Sequence, residues 1–150
     1  MAFLTLISAG PNNWNALVPD LTCIVTAKTR EDLVERARES IALALEDQPR
    51  EPQAQGLQDV DPEIRAELPT DIEVAHLDPA PLNPVSGEIE RALGRAGINQ
   101  SELARRLGTS RSAVSRLVNP FYWGHSLDIL RRVAEAVDAD LSVHLTAKAS

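Results

Sequence analysis

The chain has 150 residues, of which 43% are hydrophobic and 25% charged. That composition suits one packed domain or two very small ones, and it excludes a wholly disordered chain. No apolar stretch reaches the roughly 18 to 20 residues of a membrane helix and no secretion signal opens the chain, so a cytoplasmic protein without membrane contact is expected. The single cysteine, Cys23, leaves no internal disulfide or multi-cysteine zinc site, and His76, His125 and His144 lack metal-ligand spacing. No cofactor is expected.

The net charge of −7 is unevenly spread. Residues 1–82 carry 6 Lys and Arg against 15 Asp and Glu, a net −9, whereas residues 83–150 carry 9 against 7, a net +2. Between Arg95 and Arg132 seven arginines face only Glu102 and Asp128. An acidic half before a locally basic half predicts two modules with different partners: the first suits a basic protein, the second phosphates.

The first module opens with three short strands. Ala2–Ser8 is apolar and rich in β-formers, and Gly10-Pro11-Asn12-Asn13 is a dense turn signal. Trp14–Val18 places Trp14, Ala16 and Val18 on one face; Pro19-Asp20 breaks the run, and Thr22–Ala27 resumes it. An antiparallel meander is the simplest reading. Thr29 followed by Asp32 is a helix-capping pattern, and Leu33, Ala37, Ile41 and Leu45 recur every four residues, which predicts an amphipathic helix of about four turns over one face of the meander. Residues 48–70, with Pro49, Pro52, Pro62 and Pro69 and no periodicity, read as a connector with one helical turn after Pro62. Asp71–Leu77 alternates as a fourth strand at a sheet edge, and the prolines of Asp78–Pro84 mark the domain boundary.

The second module reads as helical: Ile89–Ala96, Gln100–Leu107 capped by Asn99, Ser110–Val118 stopped by Asn119-Pro120, and Ser126–Val137. Phe121, Tyr122 and Trp123 follow the third helix, and packing of the fourth helix on the third is their simplest role. Leu141, Val143 and Leu145 alternate with Ser142, His144 and Thr146 as a short terminal strand, which either pairs with its own copy or closes on its own domain. The fold class is therefore α+β: a small antiparallel sheet plus helix in 1–82, then a mostly α domain in 83–150.

Within the second module, Gln100 to Leu117 resembles the helix-turn-helix of the lambda repressor and Cro family. Ala104 supplies the small residue where two steeply crossing helices touch, Gly108 permits the turn, and Leu103, Leu107, Val114 and Leu117 face a shared core. The resemblance implies that the third helix enters the major groove with its N-terminal end. Thr109, Ser110, Arg111, Ser112, Ser115 and Arg116 would then face DNA, with Gln100 on phosphate. Arg111 suits two hydrogen bonds to a guanine edge, whereas Arg105 and Arg106 read as surface. A homodimer or higher oligomer on a two-fold operator is expected.

The run Trp14 to Leu33, with Pro19-Asp20-Leu21, then Cys23, then Thr29 and an alanine-rich helix, resembles HicB antitoxins. That resemblance implies a partial ribonuclease H-like domain in 1–82, followed by an appended DNA-binding domain. It further implies a partner, the HicA-like toxin, a small basic RNA-cleaving protein with a double-stranded-RNA-binding-like fold. Asn13, Trp14 and Asp20, near the strand ends, are the candidate toxin contacts. No carboxylates converge as two-metal nuclease chemistry requires, and no nucleophilic triad or phosphate loop is present, so no catalysis is expected. The reading is an antitoxin that neutralises its toxin and represses its own operon. Its rivals are a transcription regulator with a small-molecule-sensing first module and, further off, a metal-dependent nuclease.

Overall fold

The computed structural model describes residues 1–149 and is α+β, in two compact units: Met1–Pro81, and the chain from Leu82 onward. Unit 1 holds four strands, β1 (Phe3–Ala9), β2 (Trp14–Val18), β3 (Cys23–Ala27) and β4 (Glu73–Leu77), in one sheet of order β3-β2-β1-β4. Every pair is antiparallel: Leu6 faces Leu17 across β1 and β2, Val18 faces Cys23 across β2 and β3, and Phe3 faces Leu77 across β1 and β4. Helix α1 (Arg30–Asp47) lies on one face, and the short α2 (Pro62–Glu67) precedes β4.

Thr29 caps α1 by accepting the Asp32 N–H at 3.1 Å, as its sequence pattern predicts. The helix buries Leu33, Ala37 and Ile41 against Ile7, Ala16, Ala27, Phe3 and Val18 of the sheet. At 18 residues it is about 27 Å long, five turns, enough to traverse the strands completely.

The connector reading of residues 48–70 is corrected by the structure. Ala54 and Val60 are buried against Leu4 and Leu6 on the face opposite α1, with Leu57, Leu68 and Ile72 packed around them. The segment has little regular structure, but it is the second cover of the sheet. Its first part is pinned by polar contacts. The Asp20 carboxylate accepts the Gln53 and Ala54 N–H groups at 2.8 and 3.1 Å, Arg50 donates to the Asp20 carbonyl at 2.7 Å, and His76 Nε2 donates to the Gln55 carbonyl at 2.8 Å. This extra pass also sets the direction of β4. Helix α1 carries the chain back from the end of β3, the covering segment crosses again, and β4 therefore runs antiparallel to β1.

The second unit holds α3 (Pro84–Ala96), α4 (Gln100–Leu107), α5 (Arg111–Leu117) and α6 (Leu127–Ala136) around a core of Ile89, Leu93, Leu103, Ala104, Leu107, Val114, Leu117 and Val133. Helix α3 starts five residues earlier than its apolar periodicity predicts. Asn83 is the cap, accepting the Val85 N–H at 3.0 Å, and Pro84 takes the first helical position, where its missing N–H costs nothing. Residues 139–149 carry neither helix nor strand. The terminal strand expected from Leu141, Val143 and Leu145 is thus not formed within a single chain, because no neighbouring strand offers it hydrogen bonds.

Candidate nucleic-acid interface

Helices α4 and α5 are joined by a tight turn. Gly108 adopts φ +67, and the Thr109 N–H returns to the Ala104 carbonyl at 2.9 Å, closing the end of α4. Ser110 caps α5 by accepting the Ala113 N–H at 3.1 Å. Ala104 is buried at the crossing, and Leu103, Leu107, Val114 and Leu117 all point into the core. The geometry is that of two short helices held rigidly, with one side of α5 left to solvent.

That side carries most of the residues singled out from the sequence. Thr109, Ser110, Arg111, Ser112, Ser115 and Arg116 are all exposed, and Gln100 is half-buried at the start of α4. Ser115 Oγ donates to Gln100 Oε1 at 2.9 Å, so the first residue of α4 and the middle of α5 are tied together and the Gln100 amide nitrogen is left free to donate outward. The Arg116 guanidinium lies 6.0 Å from the centroid of the Tyr122 ring, a cation–π distance that orders a long side chain.

The charges sort themselves along the helices. Arg105 and Arg106 both bond Glu102, at 2.9 and 3.0 Å, and Arg106 also donates to the Ala136 carbonyl. Hydrogen bonds from Arg105 first, and then from Arg106, hold the Glu102 carboxyl down at about 2. Arg131 pairs with Asp128 and Glu135, and Arg132 donates to the Leu107 carbonyl at 2.6 Å, closing α4. Among the described residues Arg95, Arg111, Arg116 and Arg132 make no ion pair; Arg132 is spent on the Leu107 carbonyl, and Arg111 and Arg116 lie on α5. The cationic character that the sequence spreads over 95–132 is thereby concentrated on the face with the exposed hydroxyls.

The loop after α5 is anchored by residues that sequence reasoning passed over. Ser86 Oγ donates to the Asn119 carbonyl at 2.8 Å, and the Asn83 amide donates to the Tyr122 carbonyl at 2.9 Å. His125 Nε2 lies 2.7 Å from the Leu117 carbonyl, which can only accept, so the ring proton sits on Nε2 and Nδ1 accepts from Asn83 at 3.3 Å. The Asn83-Pro84 pair was the available signal, since an asparagine before a proline marks a helix start. Tyr122 packs on the core, while Trp123 is 56% exposed.

In unit 1, Asn13 is exposed in the β1–β2 turn and Trp14 is half-buried against the α1 face. Asp20 is half-buried, and its carboxylate accepts the Gln53 and Ala54 N–H groups of the covering segment. Cys23 is half-buried in β3, and burial pushes its thiol pKa up, away from nucleophilic use. Among the described residues no three His, Cys, Asp or Glu side chains stand close enough to hold a metal ion, and no helix is long and apolar enough to cross a membrane. The sequence matches no protein-family model and no curated protein.

Proposed function

We propose that this chain is a cytoplasmic antitoxin of the HicB type, with unit 1 as a partial ribonuclease H-like domain that covers a HicA-like mRNA-cleaving toxin. The second unit represses the operon by binding its operator as a homodimer or higher oligomer. The observation that carries the reading is the helix-turn-helix face of α5, where Arg111 and Arg116 lack ion-pair partners among the described residues and stand beside Thr109, Ser110, Ser112 and the Ser115–Gln100 pair. Such a face offers donors to phosphates along its rim and to base edges at its centre.

The toxin half of the reading rests on the HicB-like run from Trp14 to Leu33 and on the net −9 of residues 1–82. An acidic surface steers a basic partner toward it and speeds encounter. Asn13, Trp14 and Asp20 are the contacts proposed for that partner. Neutralisation would be steric, with no chemistry asked of unit 1.

The test is co-expression of the full chain with the product of the short gene next to its own, read by co-purification and by rescue of growth. A stable complex with rescue supports the antitoxin reading. If no complex forms while the chain still binds the DNA upstream of its own gene, the reading falls to a regulator whose first unit senses a small molecule.

A further inference from the structure

Arg116 is steadied by a residue outside the helix-turn-helix. Its guanidinium makes no ion pair among the described residues and lies 6.0 Å from the centroid of the Tyr122 ring. That ring is itself fixed from several sides. Tyr122 packs on the core of the unit, its hydroxyl donates to the Gly124 carbonyl at 3.3 Å, and its own carbonyl accepts from the Asn83 amide at 2.9 Å. The His125 ring leans on it, with centroids 5.1 Å apart and planes tilted by 55°. His125 in turn donates to the Leu117 carbonyl at 2.7 Å, in the last turn of α5. The ring that faces Arg116 is therefore held in register with the helix that carries Arg116.

One glycine makes room for this arrangement. A Cβ at position 124 would stand 2.6 Å from Tyr122 Cζ and 2.8 Å from Cε2, well inside van der Waals contact. The ring folds over Gly124 because no side chain is there. Adding one would displace the outer end of the ring while leaving the backbone ties of the loop in place.

We propose that Tyr122, seated over Gly124, is a positioning residue that holds Arg116 ready for a DNA phosphate. The proposal rests on the operator-binding reading of α5 and adds to it what Arg116 touches. Arg116 lies five residues from Arg111, about 7.5 Å further along the helix. When the first turn of α5 reaches base edges, Arg116 stands toward the rim of the groove, over the backbone. A free arginine loses rotamer freedom on reaching a phosphate, and one already held over a ring loses less. The ring supplies no lone pair, so the five guanidinium N–H donors stay available for phosphate oxygens. The two arginines of α5 thus divide the work: Arg111 reads bases, and Arg116 is pre-ordered for a contact that every sequence offers.

Two measurements on the full chain test it. Without DNA, the order parameter of the Arg116 Nε–H, from ¹⁵N relaxation, should fall in Tyr122→Leu and in Gly124→Ala and recover in Tyr122→Phe, which keeps the ring face. With DNA, anisotropy titrations use the duplex upstream of the chain's own gene and a random-sequence duplex. Tyr122→Leu and Gly124→Ala should each weaken binding about 3- to 10-fold, by the same factor on both duplexes, as the loss of an ordered side chain predicts. In an Arg116→Ala background the same two substitutions should cost less than about 1.5-fold, because a merely structural defect would add in full and a positioning role would not. Gly124→Ala leaves the Tyr122 side chain present, so a folding defect in Tyr122→Leu does not decide the outcome. Unchanged Arg116 order in both variants, or losses that multiply with that of Arg116→Ala, overturn the proposal while the operator-binding reading stands. Failure of the unsubstituted chain to bind either duplex overturns that reading, and the phosphate role of Arg116 with it.

Discussion

Arg111 carries the sharpest prediction at the scale of a single residue. It stands at the first position of α5 with no ion pair among the described residues, so its guanidinium is available for base edges. Arg111→Ala is expected to weaken operator binding by about 1–3 kcal/mol and to relax base choice at one position. Binding selections on randomised DNA would show both effects; unchanged preference would misplace α5 in the groove. Glu102 carries a second prediction. Its folded-state pKa of about 2 lies below the ordinary value of 4.5, so the unfolded chain takes up the proton first as pH falls. The carboxylate's contribution to stability is present above pH 4.5 and is lost as pH falls toward 2. Carbon-detected NMR titration should place its midpoint near 2, and Glu102→Gln should flatten the acid side of the stability profile.

At the scale of elements, the decisive one is the segment between α1 and β4. Val60 is 3% exposed on the face of the sheet that α1 does not reach, whereas Ile64 of α2 points outward. Val60→Asp should therefore cost about 3 kcal/mol of unfolding free energy, while Ile64→Asp stays within about 0.5 kcal/mol. Denaturant melts of the two variants compare them directly, and equal effects would mean that the segment is no cover. Proline content and missing periodicity made residues 48–70 look like a linker, because irregular chain has no period to read. The contrary signal lay in β1: Phe3 to Ile7 are all buried, and a strand without polar alternation is one that needs cover on both faces. The helix-turn-helix was legible because its constraints are local. A small residue at the crossing, a glycine at positive φ and capping side chains all lie within 18 residues. The ties between Asn83 and the α5–α6 loop, and between Asp20 and residues 53–54, were hidden because each joins positions more than 30 residues apart.

For the whole molecule, the charge division has a measurable consequence. Residues 1–82 carry a net −9 and are tethered to a unit whose α5 face is cationic. The fragment 83–150 should bind non-specific DNA more tightly than the full chain at low salt, with the difference fading once the Debye length falls to about 8 Å near 0.15 M. Anisotropy titrations at several salt concentrations would reveal it; a difference that persisted at high salt would point to a steric and not an electrostatic effect.

The reversed fourth strand has a mechanical side. Because β4 runs antiparallel to β1, the chain enters unit 1 at Phe3 and leaves it at Leu77, directly opposite, with the Met1 nitrogen 3.3 Å from an Asp78 oxygen. Tension applied between those ends would load the β1–β4 pair so that its hydrogen bonds open one after another instead of sharing the force. Whatever its resistance to heat or denaturant, unit 1 is built to unzip when pulled by its ends, and a threading machine that pulls from beyond Leu77 would peel the edge strand β4 from β1 one ladder bond at a time.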